Sequence, residues 1–220
     1  MSGAAPAAVT GVDASEGHVA YAREQIPDGR AEFRQGDAET LPFGRAGFDA
    51  AVSGLVLNFL PRPGRGLAQM ARVTRPGGAV AIYVWDYAGE MQLMRHFWDA
   101  AAQLDPAAME LDEGRRFPIC SPESLERLFT AARLEDVAVR AIDVPTVFRD
   151  FDDYWSPFLD GQGPAPSYAM SLTEERRAVR RECIRANLPK TDDGSIRLVA
   201  RAWAARGRSS QHSPGLATAT

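Results

Sequence analysis

Two aspartates near the start of the sequence follow predicted strands and could hold a polar ligand. Asp13 ends the run VTGVD, and Asp37 comes just after the run AEFRQ, separated from it by Gly36. An aspartate at the carboxyl end of a parallel strand lies where ligands bind in open α/β sheets, and its carboxylate can accept from two vicinal hydroxyls at once. Taken singly, each aspartate could instead be an ordinary turn former. Their repetition at successive strand ends favours a shared binding site.

Further polar side chains follow two later apolar runs. Ser53 and Asn58 lie within and after FDAAVSGLV, and Asp86 follows AVAIYVW. A carboxylate at position 86 could orient an acceptor or take up a proton, and a solvated turn is the alternative. His96 in a helical run and Tyr154 in an aromatic segment are further candidates for proton transfer. Their alternatives are a helix-surface histidine and a tyrosine that simply packs.

Alternating strands and helices must position these groups. The strand-type runs are VTGV, AEFRQ, the early part of FDAAVSGLVLNFL, and AVAIYVW. Between them, Ser15 suits the N-cap of the helix SEGHVAYAREQ, and a later helix carries Leu67 and Met70 on its apolar face and ends at the turn RPGG. Strands of the buried type that alternate with helices predict a parallel sheet covered on both faces.

The second half of the chain has a different pattern. Helices are predicted over 91–104 and from Ser121, strands over LEDVAVRAID and GSIRLVARAWAARG, and a final helix behind the capping-box pair Ser171 and Glu174. The arginines of that helix predict a solvated face, and Cys183 fits its apolar side. The segment FRDFDDYWSPFLDGQGPAPSY is aromatic, acidic and rich in proline and glycine, which predicts a loop or lid with little regular structure.

Composition limits the class of protein. The 220 residues include 45% hydrophobic and 25% charged residues with a formal net charge of −4, which fits a soluble globular domain and argues against a binder of nucleic-acid backbones. We expect one domain over residues 1–207, a substrate or lid region over 88–190 and a disordered tail over 208–220. Cys120 and Cys183 have no CxxC spacing, so neither a disulfide framework nor a metal site is indicated. No apolar run reaches the ~18 residues of a membrane span and no signal peptide is evident, which predicts no membrane association and a cytoplasmic location.

Four sequence blocks, taken in order, resemble a known family. VTGVDAS, GDAETLPF, FDAAVSGLVLNFL and RVTRPGGAVAIYVWD are similar to successive blocks of class I S-adenosylmethionine-dependent methyltransferases, at comparable spacing. Each block alone is weak, whereas the ordered set is fairly specific. The resemblance implies an α/β, Rossmann-like, doubly wound and mostly parallel sheet. It also implies S-adenosylmethionine as cofactor and methyl transfer to a small-molecule acceptor.

The resemblance also assigns roles to individual residues. Asp13 would accept hydrogen bonds from the ribose hydroxyls, Asp37 would accept from the adenine amino group, and Ser53 with the residues after it would line the methionine end. The implied cofactor-binding set is Asp13, Ala14, Asp37, Ala38, Ser53 and Asn58. Methyl transfer mainly requires an in-line geometry and exclusion of water, so the catalytic residues need leave no signature in the sequence.

The sequence departs from the family ahead of Asp13. In the family, a first strand and its glycine-rich turn support the methionine part of the cofactor, but MSGAAPAA contains neither a strand nor GxGxG. The missing strand would lie between the strands of Val9 and Phe48, whose edges would then pair directly, be filled by another chain or remain an aggregation risk. The numbering begins at an internal start, or the chain is a shortened homologue. In both cases we expect weak cofactor binding.

Two other functions stay open on the sequence alone. A non-catalytic remnant of the fold, or an interaction module, would keep the sheet without the glycine-rich turn, and the coding frame upstream of Met1 would distinguish it from an enzyme. A nicotinamide-dependent oxidoreductase also uses an acid after its second strand, although the block GDA fits it less well. The apolar and acidic composition of residues 91–168 disfavours an RNA or DNA acceptor. A homodimer stays open.

Overall fold

A computed structural model describes residues 5–161 and 163–210. Its strands are β1 (Val9–Asp13), β2 (Ala31–Gln35), β3 (Phe48–Gly54), β4 (Thr74–Trp85), β5 (Leu134–Phe148) and β6 (Ile196–Ser209). Its α-helices are α1 (Glu16–Gln25), α2 (Pro63–Val73), α3 (Gln92–Leu104), α4 (Glu113–Arg116), α5 (Pro122–Ala131), α6 (Phe151–Trp155), α7 (Pro164–Ser171) and α8 (Glu174–Asn187). Within these residues, no helix combines the length and the apolar character that a membrane span requires.

The chain forms two compact units, which are described separately. The first contains the described residues up to Ala81, then Phe129–Val137 and those from Gly207 on, and the second contains Ile82–Leu128 and Ala138–Arg206. The unit boundaries fall inside β4, α5, β5 and β6. Strands β1 and β2 form a two-stranded parallel sheet, and a four-stranded sheet has the order β3-β4-β6-β5. The expectation of one domain over residues 1–207 stays a prediction.

Local signals at the start of the first unit fold as the sequence predicts. Strands β1 and β2 and helix α1 form where expected, and the Ser15 hydroxyl accepts from the His18 amide at 3.3 Å, which confirms the predicted N-cap. Gly11 leaves room for the ring of Phe33 on β2, since a Cβ at this position would lie 2.6 Å from Cδ1 of Phe33. Helix α2 buries Leu67, as its apolar face predicts.

Strand β3 is less buried than its apolar sequence predicts. No residue of Phe48–Gly54 is fully buried, and Val52 is 70% exposed. Among the described residues β3 is an edge strand and pairs with β4 alone. Within the described residues β1 and β3 belong to separate sheets, so direct pairing between them is excluded. It stays a prediction that a strand from another chain fills this edge, or that the edge is prone to aggregation.

Three predicted boundaries are wrong. Strand β4 begins at Thr74, so the sequence RPGG lies inside the strand and is not a separate turn. The N-cap of α8 is Thr173, whose hydroxyl accepts from the Arg176 amide, and not Ser171. Strand β6 continues to Ser209, so the predicted disordered tail cannot begin at position 208. The rest of that predicted tail, 211–220, lies outside the described residues.

An aromatic cluster forms the core of the second unit. The rings of Phe97 and Phe158 stack with centroids 4.5 Å apart, and Tyr154 and Trp155 pack beside them. The prediction of a lid with little regular structure is therefore wrong, because this segment contains α6, a 3-10 turn and α7. From Phe151 to Phe158 the aromatic residues recur at i, i+3, i+4 and i+7, which places them on one helical face.

The arginines of α8 are not all solvated, contrary to the sequence prediction. Arg180 is 3% exposed, and its guanidinium lies 5.0 Å from the ring centroid of Tyr168. Arg185 lies 4.2 Å from the ring centroid of Phe151. These planar cations cover aromatic rings and so belong to the packing of the unit. Cys183 is half-buried against the aromatic core, as predicted for the apolar side of this helix.

Candidate functional site

The ends of β1 and β2 bring the two aspartates together in the first unit. The strands pair in parallel, with Asp13 opposite Gln35. The Gly36 amide donates to the Asp13 carbonyl at 3.0 Å, and Gln35 Nε2 donates to the Ala14 carbonyl at 3.0 Å. Asp37 follows directly after this contact. The structure therefore places both carboxyl groups at the same end of adjacent strands.

The Asp13 carboxylate is held on one side and open on the other. Its Oδ1 accepts from the Ser15 amide at 2.8 Å, and Nδ1 of His18 lies 3.4 Å away. No described residue donates to its Oδ2, and the side chain is 44% exposed. A carboxylate that its own turn already orients can accept from a pair of ligand hydroxyls without first rearranging.

Asp37 has a similar arrangement after β2. Its Oδ1 accepts from the Glu39 amide at 2.8 Å, and its Oδ2 accepts from the Thr40 hydroxyl at 3.3 Å. The aspartate is exposed, whereas Ala38 beside it is half-buried. Because an ionised carboxylate has about four lone-pair sites, Asp37 can still accept from an N–H donor of a ligand.

Ser53 and Asn58 lie at the end of β3 and just beyond it. Ser53 is half-buried, and Leu55 turns the chain with a left-handed φ of 58°. Asn58 is 7% exposed, and its Nδ2 has no hydrogen-bond partner among the described residues. A buried donor left unpaired costs about 1–3 kcal/mol, so a ligand carboxylate or carbonyl at this position would be stabilising. No hydrogen bond within the described part of the chain joins Ser53 or Asn58 to the two aspartates.

This set of side chains fits a nucleoside better than a phosphate or a metal ion. Two carboxylates accept hydroxyl and amino hydrogens, whereas they repel a phosphate. Across residues 5–161 and 163–210, no group of three or more metal-ligating side chains could hold an ion. For the methionine part of S-adenosylmethionine the structure offers the unpaired amide of Asn58, and the described residues ahead of β1 include no glycine.

Asp86 and His96 lie in the second unit, where Asp86 has a structural partner. Its Oδ2 accepts from the Glu90 amide at 2.9 Å, and a Cβ at Gly89 would lie only 2.6 Å from the same oxygen. Asp86 is buried and fixes the loop after β4. Burial lowers the pKa of the half-buried His96. A role of His96 in proton transfer stays a prediction.

Tyr154 lies inside the aromatic core and not on an open lid. Its side chain is 0% exposed, and its hydroxyl donates to the Leu93 carbonyl at 2.9 Å. Burial raises the pKa of this hydroxyl. The sequence-based prediction of Tyr154 as a proton-transfer residue is therefore wrong. Its hydroxyl already donates a hydrogen bond to Leu93, and its burial leaves it no access to a ligand.

The sequence analysis missed a buried polar cluster in the second unit. Arg95 donates to both oxygens of Asp112 at 2.8 Å, and Asp112 caps α4. Beside this pair, the carboxylate of Glu113 accepts from Nε1 of Trp98. Burial and the charge of Glu113 raise the pKa of Tyr87 to about 12. The partners are far apart in sequence, so no local spacing signals the cluster.

Replacing Glu113 with glutamine should remove a pH dependence from the second unit. Burial raises the pKa of the Glu113 carboxyl in the folded chain, so its contribution to stability is present below the unfolded pKa and is lost as pH rises through the folded value. Glutamine keeps an oxygen for the indole of Trp98 and does not ionise. In urea unfolding, Glu113→Gln should therefore gain stability relative to the unchanged chain as the pH is raised from about 4 to about 8.

The exposed Glu110 supplies a matched control for this prediction. Glu110→Gln should leave the pH profile of the unfolding free energy unchanged, since Glu110 is exposed and occupies a nearby 3-10 turn. A Glu113→Gln variant whose stability relative to the unchanged chain stays constant over the same pH range would contradict the assigned effect of burial.

Comparison with known proteins identifies the type of domain in the N-terminal part. Residues 1–82 match the family model described as a methyltransferase domain. The chain is 41% identical over 76 residues to a demethylmenaquinone methyltransferase of Desulfitobacterium hafniense and 40% identical over 79 residues to a phosphatidylethanolamine N-methyltransferase of Cereibacter sphaeroides. The matches cover 33% and 34% of this chain and 30% and 39% of those relatives. The chain thus spans well under half the length of these relatives.

Solved structures resemble the chain over most of its length. The YcgJ protein of Bacillus subtilis is 18% identical, with a TM-score of 0.57, over 94% of this chain and 84% of that one. Phosphoethanolamine N-methyltransferase 2 of Haemonchus contortus, in complex with S-adenosyl-L-methionine, is 16% identical, with a TM-score of 0.52, over 90% of this chain and 43% of that one. These likenesses confirm the predicted α/β, Rossmann-like fold class.

Proposed function

We propose that the chain binds S-adenosylmethionine and transfers its methyl group to a small-molecule acceptor, which the match of residues 1–82 to a methyltransferase domain supports. The observation that carries the proposal is the placement of Asp13 and Asp37 at the same end of two paired strands. The cofactor supplies an electrophilic methyl group on its sulfonium. The protein then has to bind, orient and exclude water.

Different residues of the first unit bind different parts of the cofactor. Asp13 accepts from the two ribose hydroxyls through the carboxylate oxygen that its own turn leaves open. Asp37 accepts from the adenine amino group, beside the backbone of Ala38. The unpaired Nδ2 of Asn58 donates to the carboxylate of the methionine part, which would satisfy a buried amide. Ser53 lines the same end.

The acceptor that we propose is a small molecule and not a nucleic acid. The similar proteins named above are methyltransferases for demethylmenaquinone and phosphatidylethanolamine, which supports acceptors of low molecular mass. A formal net charge of −4 disfavours a polyanionic acceptor. A role of His96 in proton transfer stays a proposal from the sequence alone. A cytoplasmic location is part of the proposal, and cell fractionation would test it.

Calorimetric titration with S-adenosylhomocysteine tests the proposed function. We expect saturable binding with a dissociation constant of about 0.1 mM, equivalent to about −5.5 kcal/mol, because the adenosine end has two carboxylates while the methionine end has mainly one amide. Low-micromolar binding would support the function and overturn the expectation of weak affinity. The absence of binding would favour a non-catalytic interaction module.

Titration with a nicotinamide dinucleotide is the control for the oxidoreductase alternative. Its pyrophosphate would meet the two carboxylates, so we expect it to bind at least about tenfold more weakly than S-adenosylhomocysteine. Tighter binding of the dinucleotide would contradict the methyltransferase proposal. Transfer of a radiolabelled methyl group from S-adenosylmethionine into a metabolite extract would then identify the acceptor.

A further inference from the structure

Glu39 is a buried carboxylate of the first unit for which the proposed function gives no role. It belongs to GDAETLPF, the block that also contains Asp37, and it is 3% exposed. Its Oε1 accepts from the Arg62 amide at 2.7 Å, and its Oε2 accepts from Arg62 Nε at 2.7 Å. Burying a carboxylate is costly unless it is paired and hydrogen-bonded, so these two bonds keep Glu39 inside the unit.

The main chain of Glu39 makes two further bonds. Its amide donates to Oδ1 of Asp37 at 2.8 Å, and its carbonyl accepts from Arg65 Nε at 3.1 Å. Arg62 is the N-cap residue of α2, and its own side chain makes no capping bond. Glu39 is thereby fixed to the start of α2 through its side chain and its carbonyl. The hydrogen bond from its amide in turn holds the carboxylate of Asp37 in place.

We propose that Glu39 is a positioning residue for Asp37, the carboxylate that would accept from the adenine amino group. The inference rests on the proposed function. Asp37 follows Gly36, whose amide is bonded to the Asp13 carbonyl, and precedes Glu39, which is bonded to Arg62. The aspartate is therefore held between two fixed points, and its carboxylate is oriented before the ligand arrives.

The contact with Arg62 uses both oxygens of the Glu39 carboxylate as acceptors. Both donors of Arg62 meet an oxygen of the carboxylate, whereas a glutamine side chain would offer one oxygen and one NH₂ group. The NH₂ group would face a donor of the arginine. Glu39→Gln should therefore loosen this clamp while the volume of the side chain stays nearly the same.

Adenosine and inosine form a pair of probes for the position of Asp37, because the base carries an amino group in the first and a carbonyl in the second. The unchanged chain should bind adenosine about tenfold more tightly than inosine, since the carboxylate accepts from the amino group and repels the carbonyl. Glu39→Gln should reduce this preference to about twofold, because a loosened Asp37 discriminates less. Calorimetry at one pH measures all four affinities.

Arg72 supplies a matched control on the same segment. Its guanidinium donates to the carbonyls of Phe43 at 2.7 Å and Leu41 at 2.8 Å, farther along the chain from Asp37. Arg72→Gln should lower the free energy of unfolding by a similar amount to Glu39→Gln but leave the adenosine preference at about tenfold. A purely structural role of Glu39 would make the two variants behave alike.

Two further measurements separate positioning from loss of stability. In a chain that carries Asp37→Asn, adding Glu39→Gln should change the adenosine affinity by less than about twofold, since the residue through which Glu39 acts is already altered. Amide hydrogen exchange in the free chain needs no ligand. Glu39→Gln should speed exchange at positions 39 and 40, and Arg72→Gln should not.

The outcomes distinguish this inference from the proposed function. An adenosine preference in Glu39→Gln equal to that of the unchanged chain would overturn the inference and leave the proposed function standing. Failure of the unchanged chain to bind adenosine and S-adenosylhomocysteine would overturn both. A reduced preference that Arg72→Gln shares would assign Glu39 a structural role, against the inference.

Discussion

Asp13→Asn should lower the affinity for S-adenosylhomocysteine about 100-fold, which is the largest effect expected at the cofactor site. Asparagine keeps an oxygen for the Ser15 amide, so the local turn is preserved. It replaces the open carboxylate oxygen with an NH₂ group, which cannot accept from ribose. Hydrogen bonds to a charged group contribute about 1.5–3 kcal/mol each, and the two ribose hydroxyls share this carboxylate. In a calorimetric titration under conditions that saturate the unchanged chain, this variant should show no saturable binding.

Asp28→Asn is the matched control for this substitution. Asp28 has a side chain that is 42% exposed, compared with 44% for Asp13, and it pairs with Arg30 after α1. It lies outside the proposed site, so its substitution should leave the affinity unchanged. If Asp13→Asn binds as well as the unchanged chain, or if both variants lose affinity equally, the ribose assignment is wrong.

Phe97→Ala should lower the free energy of unfolding of the second unit by about 3–5 kcal/mol. The side chain is 0% exposed, and its ring lies 4.5 Å from that of Phe158 and 5.1 Å from that of Trp98 between ring centroids. Removing the ring leaves a cavity where aromatic side chains now pack, which adds to the lost burial of apolar surface. Urea unfolding followed by tryptophan fluorescence measures the effect.

Leu104→Ala is a control on the same helix. Leu104 is the last residue of α3 and is 44% exposed, so its truncation should cost less than about 1 kcal/mol. Equal losses in Phe97→Ala and Leu104→Ala would show that the aromatic cluster does not form the core of this unit.

The sequence predicts the first elements well because their signals are local. Ser15 precedes a helix and caps it, and the runs VTGV and AEFRQ are short strands bounded by turn residues. Consecutive strands joined by a helix pair in parallel, so the meeting of Asp13 and Asp37 also follows from the sequence. Their roles toward a cofactor stay predictions.

Prediction from the sequence fails where contacts between residues far apart in the chain determine the structure. The segment from Phe148 to Tyr168 is acidic and contains proline and glycine, which predicted a loop, yet its aromatic side chains pack on Phe97 of α3. Arg180 has the charge of a surface residue and is buried over Tyr168. In each case tertiary packing overrides local composition, and the helical spacing of the aromatic residues is the local signal for the first case.

The site shows the same division between local and distant signals. The two aspartates end strands, which is visible in the sequence, whereas Glu39 and Arg62 are 23 residues apart and meet only in the folded unit. The apolar run at β3 predicted burial, but Val52 is exposed and the strand lies at an edge. Which strands become edges depends on the pairing of the whole sheet and not on one run.

A crystal structure of the chain with S-adenosylhomocysteine tests the central claim most directly: the carboxylates at the ends of β1 and β2 share one adenosine. We expect Asp13 within hydrogen-bond distance of both ribose hydroxyls and Asp37 beside the adenine amino group. A nucleoside bound elsewhere, with both carboxylates left in solvent, would contradict the claim.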